Sequence, residues 1–319
     1  GEFNIVSENI NHTIFINESS LKYFNGDEVE FFISKRKRKG KYLATIEKLI
    51  NREKNSYVGI IQINENFAFA ILDDKKMHVD IFIPGDNIKK AQDGDKVIIE
   101  ILKWRKNDLS PTGKVVEVLG KPGDHETEIS TIIKQNELPL KFPNQVEEYA
   151  KNINKEISKE EIEKRRDIRE ILTFTIDPED AKDFDDAVFA EPTDSGGWRL
   201  LIAIADVSHY VRQGSVLDKE ARARGNSVYL PDLVVPMLPE AISNDLCSLR
   251  PHEDRAAMVA EIFIDNEGKI ASHSIQRALI RSHARLTYDT VQSVYDGILD
   301  EVDADVPHGT LHALFGAWH

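Results

Sequence analysis

Apolar residues in the first part of the chain fall into short runs that alternate with polar positions and are separated by Gly, Asn or Asp. Such runs are typical of β-strands joined by turns. Ile-Phe-Ile triplets begin at Ile14 and Ile81, and Gly-Asp turns follow at Gly26 and Gly94. The offsets of 67 (81 − 14) and 68 (94 − 26) residues indicate a duplicated module. We therefore predict two small β-barrels, the first incomplete at its N-terminus, at residues 1–52 and 53–122.

The pattern changes after residues 121–123, a turn-rich stretch that marks a domain boundary. Residues 126–170 are rich in helix-forming and charged side chains, and Ser158 with Glu161 matches a capping box. Apolar runs that predict buried strands follow, at residues 171–176, 187–190 and 198–206. Residues 123–319 thus predict a domain that contains both helices and strands.

The composition of the chain indicates the cellular environment in which it works. Cys247 is the single cysteine among 319 residues, so no internal disulfide can form, which fits a reducing cytoplasm. No run approaches the ~18 apolar residues of a membrane span, and we expect a cytoplasmic protein without a membrane segment. The net charge of −14 argues against extensive phosphate contacts. Six cations nevertheless lie between residues 35 and 41, so net charge says little about any one groove.

The strongest candidate chemistry lies between two predicted strands, where aspartates cluster at Asp177, Asp183, Asp185 and Asp186. Burying unpaired carboxylates costs several kcal/mol each. A divalent cation removes this conflict, and oxygen ligands without His or Cys favour Mg²⁺ or Mn²⁺. The alternatives are a solvated acidic loop and a Ca²⁺ loop. An EF-hand that began at the first aspartate would need Gly and Glu where the chain has Lys182 and Val188. Spacing alone leaves the metal site and the solvated loop open.

Two further features suit RNA. Phe67 and Phe69 alternate with alanines near lysines, as in a platform on which single-stranded bases stack, although both rings could instead be core. The basic run is either a solvated hairpin loop or a set of phosphate contacts, with Lys35, Arg36, Lys37 and Arg38 as the candidates. Residues from about 14 to 120 look like tandem cold-shock domains of the OB fold.

Four ordered motifs resemble those of the ribonuclease II and ribonuclease R exoribonucleases. They lie at Thr175–Ala187, Ala203–Val211, Ser227–Leu249 and Arg285–Tyr288. The resemblance implies OB-type barrels followed by the first part of an α+β RNB catalytic domain. It also implies processive 3′-to-5′ hydrolysis of single-stranded RNA to nucleoside 5′-monophosphates with Mg²⁺, for which Mn²⁺ is an alternative.

The resemblance also assigns roles to residues. Asp177 and Asp186 correspond to metal ligands, Asp185 to the carboxylate most critical to chemistry, and Asp183 to a supporting member of the cluster. Tyr229 resembles the aromatic residue that stacks on the 3′-terminal base. Spacing alone would place that tyrosine in the core.

The family's catalytic domain continues beyond the motifs found here and is followed by an S1 RNA-binding domain. We therefore expect a fragment that lacks a catalytic arginine, a glutamate and a second stacking aromatic residue. The alternative function is a noncatalytic RNA-binding fragment whose activity needs that C-terminal segment. We expect a monomer, with RNA-decay or ribosome-associated proteins as further partners.

Four other polar residues have structural interpretations, with phosphate contact as an alternative for two of them. Asp206 closes a predicted strand and is expected to bond locally, and His209 is expected to be structural. Cationic side chains on the next predicted helix either contact phosphate or cover the helix face, at Arg222 and Arg224.

Overall fold

A computed structural model of the chain describes residues 4–7, 10–16, 22–33, 42–52, 54–77, 79–105, 108–299 and 308–319. These residues form two compact units, Gly1–Leu138 and Pro139–His319. Among the residues described, no helix is both long enough and apolar enough to cross a membrane.

The first unit is built mainly from β-strands. Its elements are β1 (Asn4–Ser7), β2 (Ile10–Ile16), β3 (Glu28–Ile33), β4 (Tyr42–Asn51), β5 (Ser56–Ile63), β6 (Phe67–Leu72), β7 (Ile81–Pro84), a 3₁₀ turn (Gly85–Asn87), β8 (Lys96–Lys103), β9 (Thr112–Gly120) and α1 (His125–Gln135). Strands β1 to β4 form one sheet in the order β1-β2-β4-β3. Strands β5 to β9 close into a barrel in the order β5-β6-β7-β9-β8. The second predicted barrel is thus closed, whereas the described part of the first is a four-stranded sheet.

Alternation along the strands gives the barrel its interior. Ala68 and Ala70 on β6 are fully buried and pack with branched side chains from the other strands, among them Ile61, Ile81 and Ile99. The small alanines leave room for these larger neighbours, as alternating small and large side chains do inside other small barrels. The side chains between the alanines face outwards.

Helix α1 belongs to the first unit. Thr127 donates a hydrogen bond from its hydroxyl to the carbonyl of Leu119 at 3.3 Å. Lys96, buried on β8, pairs with Glu128 of the helix at 2.8 Å. The sequence-based division grouped this helix with the C-terminal domain because of the turn that precedes it. The contacts group it with the barrel instead.

The second unit combines a large sheet with short helices. Its elements are α2 (Asn144–Lys151), α3 (Lys159–Glu163), β10 (Arg166–Asp167), β11 (Phe174–Asp177), β12 (Asp186–Pro192), β13 (Trp198–Ala205), α4 (Val207–Tyr210), α5 (Val216–Arg224), β14 (Val228–Leu230), β15 (Leu233–Val235), a π-helix (Ala241–Leu246), β16 (Asp254–Ile264), β17 (Ile270–Arg281), β18 (Ala284–Thr287), α6 (Tyr288–Tyr295) and α7 (His308–Trp318). Seven strands form one mixed sheet in the order β10-β17-β16-β13-β12-β11-β18. Strands β14 and β15 form a separate hairpin.

An apolar cluster lies on each face of the central strands of this sheet. Ala187 and Leu201 contribute to a core on one face, which also contains Ile242 of the π-helix and Leu217 of α5. Val188, one residue along β12, packs in a second cluster on the other face with side chains of α6 and α7. Successive apolar positions on the central strands thus serve both faces, but β13 is fully buried on one face only, since Ile204 is 45% exposed.

A buried ion pair anchors the end of β13. Arg165 and Asp206 approach to 2.6 Å, and only 1% of each side chain is exposed. The guanidinium also bonds to Glu161 at 2.8 Å, while the hydroxyl of Ser208 donates to Asp206. Asp206 is therefore a structural residue with local partners, in agreement with its sequence-based interpretation.

Candidate active site

The clustered aspartates lie in a loop held at both ends by the sheet. We call residues 177–186 the acid loop. Asp177 is the last residue of β11, and Asp186 is the first residue of β12. These strands are antiparallel neighbours, paired at Phe174 and Val188. The large sheet therefore fixes where the loop leaves and where it returns.

All four predicted carboxylates line one pocket of about 590 Å³. Its acidic lining consists of Asp177, Asp180, Asp183, Asp185, Asp186, Asp232 and Glu240. Tyr229 lies in the same wall, as do Ser243 and Asn244 of the π-helix. The structure thus brings together the aspartates and the tyrosine that the sequence singled out.

The electrostatics of the pocket are those of crowded like charges. Burial raises the pKa of Asp185, and the neighbouring carboxylates of Asp183, Asp186 and Asp177 raise it further. Burial also raises the pKa of Asp177, and Asp186 adds to the effect. The Oδ2 atom of Asp177 is buried without a hydrogen-bond partner. A cation at this position would relieve both the repulsion and the missing bond.

The donor chemistry fits a hard divalent cation, because the pocket offers carboxylate oxygens without His or Cys. Within the described part of the chain, however, no group of three His, Cys, Asp or Glu side chains is arranged as a metal-ligand set. The carboxylates thus supply the charge and the oxygen donors, while their spacing does not define a coordination sphere.

Tyr229 is presented to the pocket by the β14–β15 hairpin. Its side chain is 65% exposed, so it is not core, and the interpretation from spacing alone is wrong for this residue. Its hydroxyl donates a hydrogen bond to Oδ2 of Asp183 at 2.9 Å. That bond, followed by burial, raises the pKa of the tyrosine. The ring is therefore accessible to a ligand while its hydroxyl is tied to the acid loop.

Two side chains hold the backbone of the acid loop. Arg285 donates to the carbonyls of Pro178 and Glu179, with a bond of 2.6 Å to the former. Ser248 donates to the carbonyl of Lys182 at 2.8 Å and accepts from the backbone N–H of Phe184 at 3.1 Å. The loop is thus fixed near both its beginning and its end.

Sequence reasoning missed these contacts and part of the pocket wall. In the sequence, Arg285 and Ser248 stand out only as members of family-like motifs, and Glu240, Ser243 and Asn244 carry no predicted role. A usable signal exists for two of them, because Ser243 and Asn244 begin a polar triplet, Ser-Asn-Asp, that is flanked by apolar residues. Their convergence on the acid loop depends on the tertiary fold.

The aromatic candidates of the first unit lie on the outer face of the barrel. Phe67 and Phe69 are half-buried, and their ring centroids are 5.8 Å apart. Each ring also lies 5.7 Å from the ring of Phe82 on β7. The phenylalanines therefore form a three-ring surface and are not part of the barrel interior. The basic candidates Lys35, Arg36, Lys37 and Arg38 lie outside the described residues.

Other polar groups have structural roles. The guanidinium of Arg224 lies 3.6 Å from the ring centroid of Phe142 and donates to three backbone carbonyls. Arg222 pairs with Asp218 on the same helix. Cys247 is buried, and burial raises the pKa of its thiol to about 12.

Comparison with known proteins matches two family models. The RNB domain model matches residues 165–315, which include the acid loop and the tyrosine hairpin. The cold shock domain model matches residues 69–143. The matches confirm the predicted fold class, a cold-shock barrel followed by an RNB domain.

Ribonuclease R of Vibrio parahaemolyticus is 41% identical over 273 residues, which cover 86% of this chain and 33% of that protein. Ribonuclease R of Acidithiobacillus ferrooxidans is 35% identical over 301 residues, covering 92% of this chain and 68% of its relative. The chain thus spans about a third of the length of the first of these curated relatives.

Solved structures are similar to this chain in fold as well as in sequence. Mycoplasma genitalium RNase R in complex with ribose-methylated single-stranded RNA matches the whole chain with a TM-score of 0.83. The two sequences are 28% identical, and the match covers 50% of the Mycoplasma chain. Sequence and fold therefore lead to one assignment: the chain belongs to the ribonuclease R family.

Proposed function

We propose that this chain carries the acidic centre of a metal-dependent exoribonuclease, which hydrolyses single-stranded RNA from the 3′ end to nucleoside 5′-monophosphates. One observation supports this most strongly. Four carboxylates and an exposed tyrosine line one pocket, and a buried oxygen of Asp177 has no hydrogen-bond partner. Membership of the ribonuclease R family and the RNA bound to the Mycoplasma relative point to the same substrate.

Within this proposal, Asp177 and Asp186 hold Mg²⁺, because Asp177 ends one of the two strands that fix the acid loop and Asp186 begins the other. When bound, a divalent cation neutralises charge at the scissile phosphate and makes water a better nucleophile. Asp185 orients the attacking water, and Asp183 supports the cluster. Partial burial of this pocket strengthens each of these interactions relative to bulk water.

Recognition of the RNA is proposed to rest on stacking. The ring of Tyr229 is exposed beside the carboxylates, where it can stack on the 3′-terminal base. Stacking tolerates any base, as degradation of RNA of any sequence requires. The outer surface formed by Phe67, Phe69 and Phe82 is proposed to stack on bases of single-stranded RNA.

The test is digestion of a single-stranded RNA that carries a label at its 5′ end, with Mg²⁺ in one reaction and EDTA in the other. We expect a progressive ladder of shortened 5′-labelled products, ending in short oligomers, only with Mg²⁺. Nucleoside 5′-monophosphates should be the released species. RNA that stays intact with Mg²⁺ but shifts in a binding gel would contradict catalysis by this chain and support the noncatalytic alternative.

A further inference from the structure

The segment that follows the π-helix lies along the acid loop. The π-helix ends at Leu246, and the next three residues are Cys247, Ser248 and Leu249. The N–H of Leu249 donates to the carbonyl of Phe184 at 2.8 Å. These residues are about 65 positions apart in the chain (249 − 184), so the contact is tertiary. The pocket wall and the acid loop are thus joined through this short segment.

Ser248 makes the central contacts of this junction. Its side chain is fully buried, and its hydroxyl bonds to two backbone groups of the loop. One is the carbonyl of Lys182, and the other is the N–H of Phe184. The residue between them is Asp183. The hydroxyl therefore bridges the peptide groups on either side of one of the clustered carboxylates.

Removing the hydroxyl would leave these backbone groups without their partner. A buried donor or acceptor that loses its partner is costly, so the loop would shift to recover a bond. Any such shift moves Asp183, whose carboxylate also accepts from Tyr229. It also moves Asp185, two residues along the chain.

We propose that Ser248 is a positioning residue for the acidic centre: its hydroxyl fixes the backbone at Asp183 and thereby sets the spacing of the carboxylates in the acid loop. This inference rests on the proposed function, because that function gives the spacing its purpose. The serine acts through the loop backbone and lines no part of the pocket itself.

Ser282 provides a matched control. It is likewise a buried serine, 1% exposed, and its hydroxyl donates to the carbonyl of Ala284 at 3.1 Å. Ser282→Ala therefore deletes a buried hydroxyl in the same unit without touching residues 182–184. Comparing Ser248→Ala with Ser282→Ala separates a positioning role from the general cost of losing a buried hydrogen bond.

Two measurements on the intact chain without RNA test the proposal. The first is titration with Mn²⁺, in which the free ion is followed by its electron paramagnetic resonance signal. Residues outside the ligand set typically contribute ~10- to 100-fold to metal affinity when they fix the arrangement of the ligands. Ser248 bonds to the backbone of the loop that joins Asp177 to Asp186, so we expect Ser248→Ala to raise the Mn²⁺ dissociation constant ~10-fold or more. Ser282→Ala should leave it within about twofold.

The second measurement is hydrogen exchange at the amide of Phe184 in metal-free protein. We expect roughly 5- to 10-fold faster exchange in Ser248→Ala than in the unaltered chain. Amides of β16 report the global stability of each variant. They should show similar protection in Ser248→Ala and Ser282→Ala.

The outcomes distinguish a positioning role of Ser248 from a merely structural one. Weaker Mn²⁺ binding together with faster Phe184 exchange, in Ser248→Ala alone, supports the proposal. Equal behaviour of the two variants overturns it, and so does faster exchange with unchanged Mn²⁺ affinity, which would make the serine merely structural. If the unaltered chain binds no Mn²⁺, the proposed function itself fails, and exchange at Phe184 alone then decides whether Ser248 holds the loop.

Discussion

Replacing Tyr229 separates the contribution of its ring from that of its hydroxyl. The ring is 65% exposed at the pocket, and stacking of one base on an aromatic side chain contributes ~1–3 kcal/mol. Tyr229→Ala should therefore raise the dissociation constant of a short single-stranded RNA ~5- to 150-fold. Tyr229→Phe keeps the ring and loses only the bond to Asp183. Because that bond is exposed to solvent, we expect Tyr229→Phe to change the dissociation constant of the RNA by less than about threefold.

Fluorescence anisotropy with a labelled oligonucleotide, in EDTA so that nothing is cleaved, measures both constants. Tyr149→Ala is the control, since this tyrosine is also exposed but lies outside the pocket. Equal losses in the Phe and Ala variants would show that the hydroxyl carries the affinity. Unchanged RNA binding in both variants would show that Tyr229 does not contribute to RNA recognition.

The remaining predictions concern buried groups of the second unit. Asp206→Asn removes the charge that faces Arg165 and should lower the free energy of unfolding by about 3 kcal/mol. As a control, Glu267→Gln removes a charge from an exposed ion pair and should change the free energy of unfolding by less than ~1 kcal/mol. Urea denaturation measures both changes. Although burial opposes it, hydrogen bonds from Ser208 and Arg165 lower the pKa of Asp206 in the folded chain. The stability that Asp206 contributes should therefore be present above the unfolded pKa of about 3.9 and lost as pH falls through the folded value. The free energies of unfolding of the unaltered chain and of Asp206→Asn, plotted against pH, should therefore converge in acid. Cys247, with a pKa of about 12, should not react with a thiol reagent at pH 8 until urea unfolds the chain.

Local patterns in the sequence predicted much of the site. The apolar runs on either side of the aspartates are β11 and β12, so the prediction of an acid loop between core strands is confirmed. Alternation on β6 correctly placed both phenylalanines on one face, and the buried alanines show that this face is the outer one. These features depend on neighbours along the chain, which is why periodicity reports them.

Features that depend on distant residues were not predictable in this way. The bond between Ser248 and Lys182 joins residues 66 positions apart, and Tyr229 and Asp183 are 46 apart. Tyr229 lies in a short, apolar-looking strand, so its exposure follows only from the hairpin's place at the pocket. The unit to which helix α1 belongs is also set by distant contacts, because a turn signal does not show which body a helix packs against.

The most direct measurement is Mg²⁺-dependent digestion of single-stranded RNA by Asp185→Asn, side by side with Asp194→Asn. Asp194 is an exposed aspartate in the turn between β12 and β13, so its replacement makes the same chemical change away from the pocket. We expect Asp185→Asn to abolish hydrolysis while RNA binding persists, and Asp194→Asn to digest RNA like the unaltered chain. Digestion by Asp185→Asn at the unaltered rate would contradict the assignment of the acid loop as the catalytic centre.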